Sequence, residues 1–367
     1  MKIVFILSSA EDTHQINRVE EFINEGYDVE VYAFNRTNVV QSKNLGKFKI
    51  TSIGSFANYD SYQSRIPIIY KGIKKVADLY KKEKDIVFFY QGLSVALFGF
   101  KLIKAPFIYE ECDLLHVSIS NKIIRKILDV FDKQIIKKSL LTIFTSEGFA
   151  QYHFGNDIPS NIHLVTNRLQ ESISSVPPLI LRNVDMNNLQ IAFVGSIRYD
   201  SVYNFVKVFL MKFPQHDFHL FGKYGSDEFK TFEEYPNFHY HGVFKNPDDL
   251  PHIYSQIDLI LCTYDARGIN ERYAEPNKLY EAIYFEKPII VSSGTFLAEK
   301  VKKLGIGYDV DALNGNEVIE FISKLEIEHL LEKSYNAHKI DKKCCINVND
   351  EFFNILKLKL KSCHENS

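Results

Sequence analysis

The chain lacks a Cys-x-x-Cys pair, a long apolar run and a surplus of either charge. Its five cysteines, Cys112, Cys262, Cys344, Cys345 and Cys363, are scattered, which excludes a secreted disulfide framework and reads as reduced thiols of a cytoplasmic protein. The Cys344-Cys345 pair and nearby His338 lack zinc spacing. No window reaches about 18 uncharged apolar residues, so no membrane-spanning helix is expected. The apolar run of "MKIVFIL" is shorter than a signal-peptide core and has no small-residue cleavage site, so the chain is expected to begin with its first strand. A formal net charge of −2 carries no global signature of nucleic-acid binding, and no nucleic-acid partner is expected. Repeats and low-complexity tracts are also missing.

What is present is apolar material for two interiors. Of 367 residues 46% are hydrophobic and 14% aromatic, and a chain of this length divides by default into two domains of about 150–200 residues. "KIVFIL" is a strand-length apolar run, and "HQINRVEEFINEGYDVEVYAF" continues it. Ile16, Val19, Phe22 and Ile23 fall on one helix face, Gly26 stops the helix, and "DVEVYAF" resumes as a strand. The alternation repeats through "KFKITSIG", "YKGIKKVADLYKKEK", "DIVFFYQ", "LSVALFGFKLIK", "PFIYEEC", "NKIIRKILDVFDKQIIKKS" and "LLTIFTS". Strands apolar on both faces and separated by helices predict a parallel sheet covered on two sides.

Residues 1–172 are thus expected to form one doubly wound, Rossmann-like domain. "SISSVPPLILRNVDMNNLQ", with two prolines and little periodicity, places a linker at 173–190. The pattern restarts at "IAFVGSI" and predicts a second such domain over 191–345, with strands in "DFHLFG", "FHYHGV", "DLILCTY" and "KPIIVSS". The polar helical tail, about 350–367, either finishes the second domain or crosses back to brace the first. Open sheets of this kind take ligands at the carboxyl ends of their strands, so the expectation is an α/β chain of two domains facing a cleft.

Three stretches of the second half bear on chemistry. In "IAFVGSIRYD" a strand ends in Gly195 and Ser196 with Arg198 beyond. The glycine lets a backbone approach a ligand, amides at the following helix start favour an anion, and the arginine can clamp a phosphate; a plain turn with a surface arginine fits equally well. "HLFGKYGS" repeats the device at Gly222 and Gly225. In "YAEPNKLYEAIYFEKPIIVSSG", Pro276 suits a first helical turn, Asn277 and Lys278 sit near the helix start, and Glu281 shares a face with Lys278. That lysine can meet a diphosphate and that carboxylate the hydroxyls of a ribose, or Glu275, Lys278 and Glu281 form only a cap and exposed ion pairs.

The succession "FVGSIR", "FHLFGKYG", "FHYHGVFKNPDDLPHIYSQIDLILCTYD", "EPNKLYEAIYFEKPIIVS" and "GIGYDVD" over residues 191–310 resembles the nucleotide-sugar-binding domain of GT-B glycosyltransferases, in particular the family-4-like group. The resemblance implies donor-diphosphate contacts from Gly195 and Arg198, a ribose contact from Glu281, and donor contacts from Asn277 and Lys278; Ser196 and Gly222 join them as donor-side candidates from their strand ends. Many members carry an earlier glutamate near the transferred sugar. Counting back from Glu281 reaches Tyr273 instead, and Glu275 is taken as the substitute.

The first half resembles the acceptor domain of that group more loosely. Its first helix and second strand match, and "HLVTNRLQ" retains Asn167 of a Pro-Asn-Gly segment whose proline and glycine are replaced. Where relatives place a His-Asp pair at a strand end, this chain has Cys112-Asp113, so a histidine role does not carry over. Asp113 is the catalytic candidate for an acceptor hydroxyl, with Glu111, His14 and Arg18 on the acceptor side; a capping Asp113 and a surface His14–Arg18 pair are the bland readings.

No metal is expected. "DVD" at 309–311 imitates a metal-binding Asp-x-Asp but follows "GIGY" in an expected terminal loop. In helix 121–139, Lys122, Lys126, Lys133 and Lys137 form one stripe and Ile123, Ile124, Ile127, Phe131 and Ile135 another. The pattern reads foremost as a packed helix with a solvated face, and second as a peripheral contact with the inner membrane surface. The resemblance as a whole implies a metal-independent, retaining transferase without cofactor. It would pass sugar from a nucleotide-diphosphate sugar to a glycan or lipid-linked acceptor in bacterial surface-polysaccharide assembly. The alternatives are a nucleotide-sugar 2-epimerase of the same fold and a non-catalytic scaffold.

Overall fold

The apolar runs of each half become the strands of one parallel sheet. The computed structural model describes residues 1–37, 48–57, 60–175 and 183–365. The chain divides into Met1–Val165 with Asn349–Ser367, and Thr166–Val348.

The first unit runs β1 (Lys2–Leu7), α1 (Thr13–Asn24), β2 (Asp28–Arg36), β3 (Ile50–Phe56), α2 (Tyr62–Leu79), β4 (Ile86–Gln91), α3 (Leu93–Leu102), β5 (Phe107–Glu111), α4 (Lys122–Lys138), β6 (Leu141–Phe144), α5 (Glu147–Phe154) and β7 (Ile162–Leu164). The strands lie in the order β3-β2-β1-β4-β5-β6-β7 and pair in parallel, so the direction of winding reverses between β1 and β4. Alternation along each strand sends residues to opposite faces. Ile3, Phe5 and Leu7 of β1 meet Ile16, Val19 and Phe22 of α1 on one of them.

The second unit runs β8 (Gln190–Ile197), α6 (Asp200–Lys212), β9 (Asp217–Tyr224), β10 (Phe238–Gly242), α7 (Leu250–Gln256), β11 (Leu259–Cys262), α8 (Ile269–Tyr273), α9 (Asn277–Tyr284), β12 (Ile289–Ser292), α10 (Phe296–Leu304), β13 (Gly307–Val310), α11 (Gly315–Ser323) and α12 (Ile327–His338). Its six strands lie in the order β10-β9-β8-β11-β12-β13. Ile191, Phe193, Leu259, Leu261 and Ile290 face one helical layer, and Ala192, Val194, Ile260, Ile289 and Val291 the other. The final helix, α13 (Asp350–Glu365), belongs to the first unit. Its Phe352, Phe353, Leu356 and Leu360 join the core beside Phe22.

Several elements differ from the sequence reading. α5 and β7 are not among the elements read from the sequence, and β13 stands where a terminal loop is expected. β13 carries Asp309 as an edge strand whose Asp309 pairs with Val291, so "GIGYDVD" is a sheet edge and not a terminal loop. Part of the expected linker, 176–182, lies outside the described residues, and Leu169 and Ile173 before it pack into the core of the second unit. In α4 only Asp132, Ile135 and Ile136 are buried. Ile123, Ile124, Ile127 and Val130 are exposed, Ile123 by 73%, so the isoleucine stripe is unpacked over the first half of the helix. Among the described residues no helix is long and apolar enough to cross a membrane.

Candidate functional site

The carboxyl edge of the second sheet gathers several of the expected donor residues. Gly195 and Gly222 are register partners in β8 and β9, with φ of 132° and 142°. A Cβ on Gly222 would stand 1.8 Å from the Gly195 carbonyl oxygen, so the two strand ends approach only because residue 222 is glycine. A Cβ on Gly195 would lie 3.2 Å from the Lys278 ammonium, which hovers 4.6 Å from the Phe193 ring centroid. Thus β8 leaves a bare backbone beside a lysine.

Lys278 occupies the first turn of α9, whose Leu279, Ala282 and Ile283 are buried. The N-cap of α9 is Pro276 and no side chain caps it, so the partial positive charge of the helix start adds to that of the lysine. Glu281, one turn on, is only 4% exposed and accepts a hydrogen bond from the Tyr254 hydroxyl. Burial pushes its carboxyl pKa up, against the opposing pull of Lys278 and Tyr254.

Glu275 is neither a cap nor the partner of Lys278. Its Oε1 receives the Tyr280 hydroxyl and, at 2.9 Å, the Lys300 ammonium of α10, while its buried Oε2 has no hydrogen-bond partner. The amides expected to hold an anion at the start of α6 are already occupied. Asp200 and Ser201 donate to the Asp265 carboxylate at 3.2 and 2.8 Å, so that helix start carries its own anion. Ser196, Arg198 and Asn277 are exposed. The Arg198 guanidinium lies 5.1 Å over the Tyr199 ring, which packs on Tyr264. Tyr254, Lys300 and Asp265 gave no signal in the sequence, because each acts through a partner far away along the chain.

In the first unit, β5 ends in two glutamates. Glu110 is fully buried and receives Arg18 Nη2 at 2.9 Å, Gln91 Nε2 at 2.9 Å and lies 3.0 Å from His14 Nε2. His14 and Arg18 therefore converge on Glu110, a residue the sequence reading passed over, and Arg18, 3% exposed, is no surface group. Although burial opposes it, Arg18 and His14 hold the Glu110 carboxyl well below the usual carboxylate range. Burial also lowers His14, but Glu110 outweighs it and raises the imidazole above its ordinary value.

Glu111, grouped with His14 and Arg18 from the sequence, points to the other face. There it meets His153 Nε2 at 3.0 Å, and burial pushes its carboxyl well up. Asp113 is exposed beyond the strand end, and its carbonyl accepts from the Leu115 amide at 2.9 Å. Two glutamates in a row within an apolar strand were the signal available, since adjacent strand residues serve opposite faces.

No protein-family model matches the chain. Sucrose-phosphate synthase from Thermosynechococcus elongatus superposes with a TM-score of 0.69 at 12% identity, over 100% of both chains. The fold is GT-B. UDP-GlcNAc 2-epimerase from Neisseria meningitidis, bound to UDP-GlcNAc, superposes with a TM-score of 0.60 at 15% identity, over 98% of this chain and 99% of that one. The GT-B likeness thus extends to transferases and epimerases alike. Succinoglycan biosynthesis protein ExoL of Rhizobium meliloti (strain 1021) is 24% identical over 237 residues, 60% of this chain. The chain matches 58% of the length of that relative.

Proposed function

We propose that the protein is a family-4-like glycosyltransferase of bacterial surface-polysaccharide assembly, moving a sugar from a nucleotide-diphosphate donor to a hydroxyl of a glycan or lipid-linked acceptor. The observation that carries this reading is the convergence of bare β8 backbone, Lys278, the uncapped start of α9 and buried Glu281 at one sheet edge. A polysaccharide-biosynthesis relative and a UDP-GlcNAc-bound GT-B neighbour support the substrate class.

In the reaction the acceptor oxygen forms a bond to the anomeric carbon while the bond from that carbon to the diphosphate oxygen breaks. The leaving oxygen takes the electron pair, and Lys278, Arg198 and the α9 amides bear the resulting charge without a metal. Glu281 accepts from the ribose hydroxyls, and the unpartnered Oε2 of Glu275 accepts from the sugar. Asp113 takes the acceptor proton, with His14 and Arg18, both paired to Glu110, in the same unit. Retention of anomeric configuration is the course the resembled group favours.

Exposed Ile123, Ile124, Ile127 and Val130 beside Lys122 and Lys126 support a peripheral contact of α4 with an anionic membrane surface, where a lipid-linked acceptor would lie.

Thermal-shift screening against a panel of nucleotide-diphosphate sugars tests the proposal. A stabilising donor whose effect disappears in Lys278→Met and Glu281→Gln is the expected outcome. A donor that stabilises both variants as well as the parent would place the site elsewhere. Because the fold also serves a 2-epimerase, the donor is incubated alone as well, and conversion to its 2-epimer would make epimerisation the activity.

A further inference from the structure

Behind β5 lies a cluster that the proposed reaction does not use. Glu111 of β5, His116 of the 3-10 turn Leu115–Ser118, Asp132 of α4 and His153 of α5 meet in the interior of the first unit. The side chains of all four are 0% exposed.

Their polar atoms are under-satisfied. Both ring nitrogens of His116, Nδ1 of His153 and Oδ2 of Asp132 are buried without a hydrogen-bond partner. Such atoms each cost free energy unless something occupies the space between them. The charge is also unbalanced. Glu111, Asp132 and Asp129 place three carboxylates around the two imidazoles, and Lys133, 3.0 Å from Asp129, is the lysine paired there. Glu110, on the opposite face, has Arg18 for this purpose; among the described residues no lysine or arginine pairs with Glu111, which meets His153.

The distances suit a small cation. Ligand atoms of Glu111, His116 and Asp132 all lie within 4.8 Å of one another. His116 Nδ1 is 3.3 Å from Asp132 Oδ2, and His153 Nε2 is 3.0 Å from Glu111 Oε2 and 4.0 Å from Asp132 Oδ2. Bonds of about 2.0–2.1 Å in a tetrahedral site give ligand-to-ligand edges of about 3.3 Å. These separations bracket that edge.

The surroundings fit as well. The ring nitrogens that face away from the centre, His116 Nε2 and His153 Nδ1, both look toward Asp129 Oδ1, at 3.6 and 3.8 Å. A ligating histidine commonly turns its second nitrogen to such a carboxylate, which fixes ring orientation. The Tyr109 hydroxyl donates to Asp132 Oδ1 at 3.1 Å, leaving Oδ2 for the centre.

We propose that Glu111, His116, Asp132 and His153 bind one divalent transition-metal cation, with zinc the best match to two imidazoles and two carboxylates. Its role is structural: it pins β5, the turn after it, α4 and α5 together and balances the charge of the two buried carboxylates.

The test uses the full-length chain without an affinity tag. Transition metals are measured by mass spectrometry as purified, and the chain is then stripped with dipicolinate and titrated with zinc or magnesium while unfolding is followed. One transition-metal equivalent per chain, and a zinc-dependent rise of about 5 °C in the midpoint that magnesium does not give, are expected. His116→Gln and Asp132→Asn are expected to bind zinc at least about tenfold more weakly. Where a variant fails to fold, X-ray absorption on zinc-loaded parent chain decides, with a shell of two imidazole nitrogens and two oxygens expected. A stripped chain that takes up no stoichiometric zinc, zinc binding unchanged in both folded variants, or a sulfur-containing shell would each overturn the proposal.

Discussion

Glu110 and Glu111 are neighbours in β5 and face opposite sides of the first sheet, the one locked to Arg18 and His14, the other to His153. One strand thus serves two separate polar centres, each with its own test.

Glu110→Gln leaves Arg18 buried beside a neutral amide. The loss of a buried pair by removal of one partner costs about 3–5 kcal/mol, and urea unfolding at pH 7 measures it. The Glu110 pKa is lower in the folded state than in the unfolded one, so its contribution is present above the ordinary carboxylate value of 4.5 and is lost as pH falls below it. Parent stability is therefore expected to drop more steeply below pH 4.5 than that of Glu110→Gln. Parallel curves would remove the ion pair from the account.

His14 is shifted in the opposite sense. Its folded pKa is raised, so its stabilisation is complete below the ordinary value of 6.5 and is lost as pH rises above it. Imidazole resonances followed by NMR are expected to titrate above 6.5 in the parent and to move down in Glu110→Gln. A parent midpoint at or below 6.5 would contradict the pairing.

Gly222→Ala is expected to be severe for backbone reasons. A methyl group at a position with φ of 142° and 1.8 Å from the Gly195 carbonyl must push β8 and β9 apart. We expect a loss above about 4 kcal/mol by urea unfolding, with donor binding abolished. A well-folded Gly222→Ala chain that binds donor normally would show that the close approach is not needed.

Lys278→Met and Glu281→Gln are expected to separate the two ends of the donor by calorimetry. The first removes a charge-assisted contact worth about 1.5–3 kcal/mol, weakening nucleoside diphosphate about 10–100-fold while leaving nucleoside affinity unchanged. The second weakens both ligands by at least about tenfold. Because burial raises the folded Glu281 pKa, that carboxyl stabilises the fold only at low pH and loses this as pH rises, so Glu281→Gln should be no less stable than the parent at pH 8. A marked destabilisation at that pH would make Glu281 a structural residue.

The alternation of apolar runs and amphipathic helices made both sheets legible, as did the glycines that end β8 and β9. Three elements escaped: α5 and β7, of 8 and 3 residues, lie between the last strand read in the first half and the expected linker, and β13 is an edge strand of 4 residues with only Val310 buried. Lys278 and Glu281 could be read because one helix turn brings them together. Glu110 with Arg18, Glu281 with Tyr254, Asp265 with the start of α6 and the cluster around His116 could not, since each joins residues that only the sheet order makes neighbours. The exposed isoleucines of α4 were misread because a hydrophobic stripe records a preference for burial and not what is available to bury it.

The central claim is transfer of sugar from a nucleotide-diphosphate donor held by Lys278 and Glu281. Its most direct measurement is NMR of a stabilising donor incubated with the chain, alone and with a lipid-linked glycan acceptor. The account predicts nucleoside diphosphate release and a new glycosidic anomeric signal, of the same configuration as the donor, only when acceptor is present, and neither with Lys278→Met. Epimerised donor in the absence of acceptor, or transfer undiminished in that variant, would contradict it.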